Sequence, residues 1–436
     1  MSTQSSAPRS PSGTRDVLPP ESTRWERVVG AFARGVEDAG YGLTMTPVFE
    51  YSSVFRRGIG DASDVVGKEM YEFTDRDGQQ LALRPEGTAS IVRAFVQHHP
   101  LVPFKAWYVT PAFRHERAQA LRYRQHHQLG IEAIGTEDPD LDVEVITVAH
   151  DFFRGLGLER FELKLNSMGD AQCRPAYLEL LAGVLAERAG ELCDEHGERF
   201  GSNPLRVLDC KKPECRKATA DVPQLMDHLC GPCAAHFARV RQGLEASTVA
   251  YLLDHRLVRG FDYYTRTTFE FASAALESAQ NGIGGGGRYD GLVEMLGGDP
   301  TPGIGFGIGI ERVLGACDAE SVFAVEPAPL DAFVIDVTEG DGRGAEARDL
   351  TIELRRAGIS ADRAFGVRSM KSQMKAADRS GASIALIVGP EELSAGTVTL
   401  RPLRGPGEQY AVGRHEAAVA VTRELAAYQA DLNAGQ

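Results

Sequence analysis

Phe113-Arg114-His115-Glu116-Arg117-Ala118-Gln119-Ala120-Leu121-Arg122-Tyr123-Arg124-Gln125 is the stretch on which the reading of the fold turns. Four arginines fall within the eleven residues from Arg114 to Arg124. Apolar, β-prone runs flank them, Ala106 to Phe113 before and His127 to Ile134 after. The charged segment therefore reads as the loop of a strand pair. Arginine offers a fixed fork that binds phosphate bidentately, and several forks together can offset the charge of a triphosphate. A solvated charged hairpin has the same composition. On the return strand Gln128, Gly130 and Glu132 share one face, which presents an amide, bare backbone and a carboxylate either to a polar pocket or to solvent.

Upstream of this pair, Thr23-Arg24-Trp25-Glu26 fits a capping box, followed by Val28, Val29, Phe32 and Val36 at helical spacing and by Gly40 as a stop. Thr44 to Tyr51 reads as an edge strand or bend, because Pro47 cannot donate to a ladder. Asp75-Arg76-Asp77-Gly78 reads as a hairpin turn between Tyr71–Thr74 and Gln80–Leu83. Leu83-Arg84-Pro85-Glu86-Gly87-Thr88 ends a strand and begins a helix. Glu86 there is either a solvent carboxylate or the receptor of a ligand ammonium, and Thr88 is a candidate N-cap. Downstream, Asp138 caps a helix with Pro139 at its first position.

Residues 166–250 change character. Helix formers dominate and six of the seven cysteines lie there, Cys210, Cys215, Cys230 and Cys233 among them. Strand-like sequence returns at Gly260 to Phe271, where Arg259-Gly260-Phe261-Asp262-Tyr263-Tyr264 sets two tyrosines beside an arginine. Twelve of the 47 glycines fall between Gly282 and Gly309, interleaved with Ile, Phe, Tyr and Arg, which suggests close backbone approach to a ligand. Gly284-Gly285-Gly286-Gly287-Arg288 lacks the Gly-Lys-Ser/Thr ending of a P-loop and the spacing of a dinucleotide fingerprint. Gly303 to Gly309 alternates strictly, so one face of that strand is all glycine and something flat can lie on it. Arg312 falls where a helix begins.

The 436 residues carry 43% hydrophobic and 25% charged side chains and a net charge of −14. These values predict two to four globular domains. They argue against a uniformly basic nucleic-acid binder while leaving room for local basic patches. No apolar run approaches the roughly 18 residues of a membrane span. Residues 1–12 read as a Ser/Pro-rich tail without a secretory core. An odd number of cysteines in a long chain points to a reducing cytoplasm. A Pro-rich break at Glu326 to Pro329 precedes βαβα alternation over 330–436, which predicts a separate α/β domain. Between Arg363 and Ala382 five basic residues face one acid, a local patch suited to phosphates.

Taken together the segments resemble the class II aminoacyl-tRNA synthetases. Pro47 and its neighbours resemble the dimer-interface motif 1, Phe113-Arg114-His115-Glu116 motif 2, and Gly309-Ile310-Glu311-Arg312 motif 3. Within that class, Gly13-Thr14-Arg15-Asp16, Leu83 to Thr88, Arg259 to Tyr264 and Gly287-Arg288-Tyr289-Asp290-Gly291 resemble the histidyl-specific family over nearly the whole chain. The resemblance implies an α+β catalytic domain with a six- or seven-stranded antiparallel sheet over 13–325, a mostly helical insertion and a C-terminal α/β anticodon-binding domain. It implies a homodimer that activates L-histidine with ATP and Mg2+ and charges tRNA(His). Arg114 and Arg259 would act on the α-phosphate, Arg259 in place of the metal ion that sister enzymes use. Glu116, Arg122 and Arg312 would hold ATP. Glu86, Gly87, Thr88 and Gln128 would receive the amino end of histidine. Glu132 and Tyr264 would bind its imidazole, with Tyr263 and Tyr289 lining the pocket. Arg117 and Gln119 would meet the tRNA acceptor end, and Arg368, Lys371 and Lys375 the anticodon arm. The family's motif 2 loop usually has Pro and Gly where Ala118 and Leu121 stand here. Two other readings compete: a non-catalytic regulatory paralogue of histidine biosynthesis, and a class II synthetase for another amino acid.

Cys210-x4-Cys215 and Cys230-x2-Cys233, with fourteen residues between the pairs, are compatible with one tetrahedral structural zinc ion bound by four thiolates. Separate thiols in a small helical subdomain fit the same spacing.

Overall fold

Ile304, Phe306 and Ile308 alternate with glycines along the strand Gly303–Gly309. A period of two sends the three large side chains to one side of the sheet. In the computed structural model, which describes residues 7–60, 63, 65–197, 200–201, 203–258, 261–277, 281–326, 328–339, 344–404 and 407–434, all three are buried in a core shared with Val28, Phe32 and Phe153. Each such side chain contributes roughly 1.5–3 kcal/mol by leaving water. The glycine face is thereby turned toward the opposite side.

The chain divides into two compact units, residues 1–325 and 326–436. Among the described residues, the first unit has an eight-stranded sheet in the order Gly42–Leu43, Phe104–Phe113, Gln125–Ile134, Gly303–Gly309, Gly282–Arg288, Thr265–Ser273, Phe161–Ser167, Leu252–Leu253. The central six strands pair antiparallel, and the two short edge strands pair parallel. The register sets Tyr108, Gly130, Gly307 and Gly285 in one row across four strands. That row is a floor of nearly bare backbone. A smaller sheet, Phe49–Tyr51, Gln80–Leu83 and Glu72–Thr74, carries the predicted hairpin, with Gly78 at φ +82° in its turn. Arg84 is buried and ties this sheet to its neighbours, donating from Nε to the Pro111 carbonyl at 2.9 Å and from Nη1 to the Pro47 carbonyl at 3.1 Å.

Three local expectations change. The first helix is Glu21–Asp38 and shows no side-chain cap. The Thr23 amide donates to the Pro20 carbonyl, so Thr23 already lies inside the first turn. Thr44 to Tyr51 is interrupted: only Phe49–Tyr51 pairs with Gln80–Leu83, because Arg84 takes the carbonyls of Thr46 and Pro47. Phe261 to Tyr264 forms a turn before the strand Thr265–Ser273 rather than part of it. Asp138 does cap the helix Pro139–Gly155, accepting from the Asp140 amide at 2.9 Å.

Between Phe161–Ser167 and Leu252–Leu253 the chain is helical, from Arg174–Glu187 to Gly231–Ala246. Its apolar side chains, Tyr177, Leu181 and Leu185 among them, share a core with Tyr263, Tyr264 and Tyr289. The second unit is a five-stranded sheet in the order Ala361–Arg363, Ala332–Asp336, Ile384–Val388, Thr397–Pro402, Tyr410–Gly413. The first three strands are parallel and the last two join antiparallel. The short strands Ala361–Arg363 and Tyr410–Gly413 were not legible as strands, having too few alternating residues to carry a period. No described helix is long and apolar enough to cross a membrane.

Candidate active site

Two adjoining cavities open on the glycine side of the first sheet, of about 750 and 740 Å³ including their open mouths. They share Arg114, Gln128, Gly285 and Gly307 as their common wall.

The glycine face divides between them by what already covers it. A Cβ on Gly303 would overlap the Tyr289 ring, and one on Gly305 would overlap Glu132 Oε2. At Gly307 the nearest atoms, Gln128 Nε2 and Tyr108 Oη, are 3.9 Å away, and at Gly309 nothing lies within 4 Å. Half of the face therefore seats the protein's own side chains, and only the half at Gly307 and Gly309 is open to a flat ligand. Gly87 and Gly130 make room for the Tyr108 ring in the same way.

The first cavity is lined by charged groups of both signs. Arg114, Arg122 and Arg312 line it together with Glu116, Glu270, Glu311 and His126. Arg114 Nε donates to the Pro85 carbonyl at 3.0 Å, and its guanidinium lies 5.6 Å from the Phe261 ring centre. Arg312 stands in the first turn of the helix Ile310–Glu320 and donates to the Gly282 carbonyl at 3.0 Å. Glu116 and Arg122 form an ion pair with each other. Glu311 accepts from the His127 amide at 3.0 Å. Burial, with Arg114 and Arg312 nearby, pushes the His126 imidazole down to about 3, so it is neutral at physiological pH. Leu121 sits at φ +59°, in the left-handed region. Its side chain packs against Gly315 of the helix, where a Cβ would displace it.

The second cavity is aromatic and acidic, with Glu86, Tyr108, Tyr263, Tyr264 and Tyr289 in its walls. Phe261 stacks on Tyr263 at 5.2 Å, and Tyr263 meets Tyr289 edge-on at 6.0 Å. Glu86 is buried rather than solvated. It caps the helix Thr88–His98 by accepting from the amides of Thr88 at 2.5 Å and Ala89 at 2.8 Å. Burial raises its pKa, and those bonds and Arg114 counter the rise in part. Gln128 Oε1 accepts from the Gly87 amide at 3.1 Å. Glu132 lies one layer behind the wall. Thr88 Oγ1 donates to its Oε1 at 2.7 Å, Tyr108 Oη to the same oxygen at 3.3 Å, and Tyr289 Oη to Oε2 at 2.6 Å. Burial pushes Glu132 up to about 8 although these hydroxyls stabilise its charge.

Arg259 and Gly260 lie outside the described residues. Arg117 and Gln119 are exposed in the loop of the arginine hairpin, and Arg368, Lys371 and Lys375 are exposed in the second unit. Lys371, Lys375 and Arg379 follow at four-residue spacing on the helix Met370–Arg379 and so share one face. Tyr108 and His126 line the cavities without having been singled out from the sequence, and Glu311, quoted there only as part of a motif, lines the first. Tyr108 carried a signal, since it pairs with Gly130 across the predicted hairpin. Arg288, in a motif expected near histidine, is instead wholly buried and binds Asp142 at 2.7 Å and Asp290 at 3.1 Å.

The four cysteines do not meet at one point. Cys210 and Cys215 gather with Cys193 and His196, whereas Cys230 and Cys233 gather with Asp170 and Cys173. Each pair finds its partners on a neighbouring turn that a spacing rule cannot see.

A family model described as histidyl-tRNA synthetase matches residues 13–195 and 202–313, and one described as an anticodon binding domain matches 331–424. The histidine–tRNA ligase of Rhodococcus erythropolis is 47% identical over 409 residues, covering 92% of this chain and 94% of its own. That of Moorella thermoacetica is 48% identical over 397 residues, covering 90% and 93%. The apo crystal structure of S. aureus histidyl-tRNA synthetase matches with a TM-score of 0.79 at 33% identity, covering 95% of this chain and 99% of that one.

Proposed function

The chain belongs to the histidyl-tRNA synthetase family, and from that premise we propose how its two cavities divide one reaction. The enzyme is a ligase that activates histidine with ATP and charges tRNA. Its first half joins a histidine carboxylate oxygen to the α-phosphorus and releases pyrophosphate. In the second half a terminal ribose hydroxyl of the tRNA attacks the carbonyl carbon and AMP leaves.

ATP takes the arginine-lined cavity and histidine the aromatic one. The observation that carries this assignment is the shared wall: Arg114 and Gln128 border both cavities, so the attacking carboxylate and the α-phosphate meet beside Arg114. Arg114 and Arg259 stabilise charge that develops at phosphorus. The adenine lies over Gly307 and Gly309, with Arg312 and the Glu116–Arg122 pair around the nucleotide. Glu86, Thr88 and Gln128 receive the histidine ammonium. The tyrosines enclose the imidazole, and Glu132 aligns Thr88, Tyr108 and Tyr289 from behind. A wrong side chain would leave these buried groups unpaired, which discriminates strongly. Mg2+ enters with ATP. Glu270 and Glu311, which line the nucleotide cavity, are the hard oxygen donors suited to it, and the ion would neutralise phosphate charge.

The chain works as a homodimer in the cytoplasm. Leu43, Met45, Phe49, Tyr51 and Phe73 are all exposed around the motif 1 segment, an apolar patch of the kind that a second copy covers. The basic face of Lys371, Lys375 and Arg379 takes the anticodon arm of tRNA(His), with Arg368 beside it, and Arg117 and Gln119 take the acceptor end. A regulatory paralogue is disfavoured because the anticodon-binding match spans 331–424 and Arg114, Arg259 and Arg312 are all retained. ATP–pyrophosphate exchange measured with each amino acid in turn tests the reading. Exchange dependent on histidine alone is expected; exchange with another amino acid, or none, overturns it.

A further inference from the structure

The insertion contains two four-residue clusters of metal-ligating side chains, in each of which all the candidate ligand atoms lie within 4.8 Å of one another. We propose that it holds two separate structural zinc ions, one on Cys193, His196, Cys210 and Cys215, the other on Asp170, Cys173, Cys230 and Cys233.

The distances suit tetrahedral coordination. Zinc–sulfur bonds of about 2.3 Å and zinc–nitrogen bonds of about 2.0–2.1 Å place ligand atoms roughly 3.5–3.8 Å apart. In the first cluster His196 Nδ1 is 3.2 Å from Cys193 Sγ and 3.8 Å from Cys215 Sγ. In the second, Asp170 Oδ1 is 3.5 Å from Cys173 Sγ and 3.8 Å from Cys230 Sγ. All of these cysteines are free thiols, and Cys173, Cys193, Cys215 and Cys233 are buried. Six thiols packed in two groups of three is an arrangement that a core gains little from without an ion. Three thiolates with one imidazole or carboxylate make a soft, four-coordinate donor set that selects zinc over magnesium or calcium.

Backbone donors support both sets. The Cys193 amide points at Cys215 Sγ and the Asp170 amide at Cys173 Sγ, each at 3.4 Å. Such outer bonds spread thiolate charge and fix the ligands' orientation. The spacing is Cys-x2-His with Cys-x4-Cys in one cluster and Asp-x2-Cys with Cys-x2-Cys in the other. Each ion would join two stretches of chain that are distant in sequence.

The two ions would do different work. The first cluster ties the short helices Asp194–Gly197 and Pro213–Ala218 together, where helices of four and six residues cannot hold themselves. The second sits at the base of the insertion. It joins the segment that leaves the strand Phe161–Ser167 to the start of the helix Gly231–Ala246. One residue beyond Cys173, Arg174 binds the carbonyls of Met168 and Tyr264. The second ion therefore braces the turn that carries Tyr263 and Tyr264.

The test uses the full chain, purified reduced and without chelator, with zinc measured by mass spectrometry. Two zinc ions per chain are expected, and one each in Cys193→Ser/Cys215→Ser and in Cys230→Ser/Cys233→Ser. One ion per chain in the unsubstituted protein, or none, overturns the proposal. Should the variants fail to fold, cobalt(II) titration of the metal-stripped, unsubstituted protein decides. Thiolate-to-cobalt charge-transfer absorption that rises to a break at two equivalents supports two sites; a break at one, or no such band, overturns them.

Discussion

Glu132 occupies the space that a side chain at Gly305 would need, its Oε2 lying where a Cβ would be built. The two residues pair directly across neighbouring strands. The glycine is there so that the carboxylate can stand upright between the sheet and Tyr289.

Gly305→Ala should therefore displace Glu132 and strain the sheet. Overpacking at such a point costs about 1–3 kcal/mol, readable as a lower urea midpoint, and the KM for histidine should rise. Gly309→Ala meets no atom within 4 Å. It should leave stability within roughly 0.5 kcal/mol while raising the KM for ATP, because the methyl enters the nucleotide cavity. Equal effects of the two substitutions on stability would contradict the division of the glycine face.

The raised pKa of Glu132 gives stability a pH dependence of definite sign. Burial moves the carboxyl from 4.5 to about 8. Between these values the folded protein keeps a proton that the unfolded chain has released, so stability falls as pH rises through the window. Glu132→Gln should flatten that part of the profile. His126, pushed down to about 3, acts oppositely: its contribution is lost as pH falls below the ordinary imidazole value of about 6.5. Arrival of the cationic histidine ammonium should also expel the Glu132 proton. Calorimetry near pH 7 in buffers of different ionisation enthalpy should show proton release on histidine binding, absent in Glu132→Gln.

Arg288→Met should destabilise the catalytic unit by about 3–5 kcal/mol, because it leaves Asp142 and Asp290 without their buried cation. Asp142 is also bound by His236 at 2.8 Å. Adding Asp142→Leu should recover part of the loss, measured by chemical denaturation of both variants. If Arg288 instead served histidine directly, pyrophosphate exchange would collapse at full stability.

Arg259→His should cut adenylation by roughly 10²–10³-fold, the usual cost of a lost preorganised donor at developing charge. Histidine affinity should change less. Pyrophosphate exchange within a few-fold of the parent enzyme would remove Arg259 from the α-phosphate.

A fragment of residues 1–325, the first compact unit, should still form histidyl-adenylate but charge tRNA poorly, since Lys371, Lys375 and Arg379 are gone. Equal charging by fragment and full chain in a kinetic assay would count against an anticodon role for the second unit.

Local patterns in the chain were enough to announce the central hairpin, the alternating Gly303–Gly309 strand, the capped helix at Asp138 and the second domain, because periodicity, turn residues and caps act over a few neighbours. That Arg114, Arg312 and the tyrosines gather at the cavities was legible for a related reason: their motifs are contiguous. Tertiary structure alone decided which glycines border an open cavity and which face Tyr289 or Glu132, since register across strands sets that. It alone turned Arg288 away from the site and into an ion pair with Asp142, a residue far off in sequence. It also divided four cysteines between two clusters by bringing in Asp170, Cys173, Cys193 and His196. Those partners converge only when helices of the insertion pack, and spacing along the chain does not encode which turns will meet.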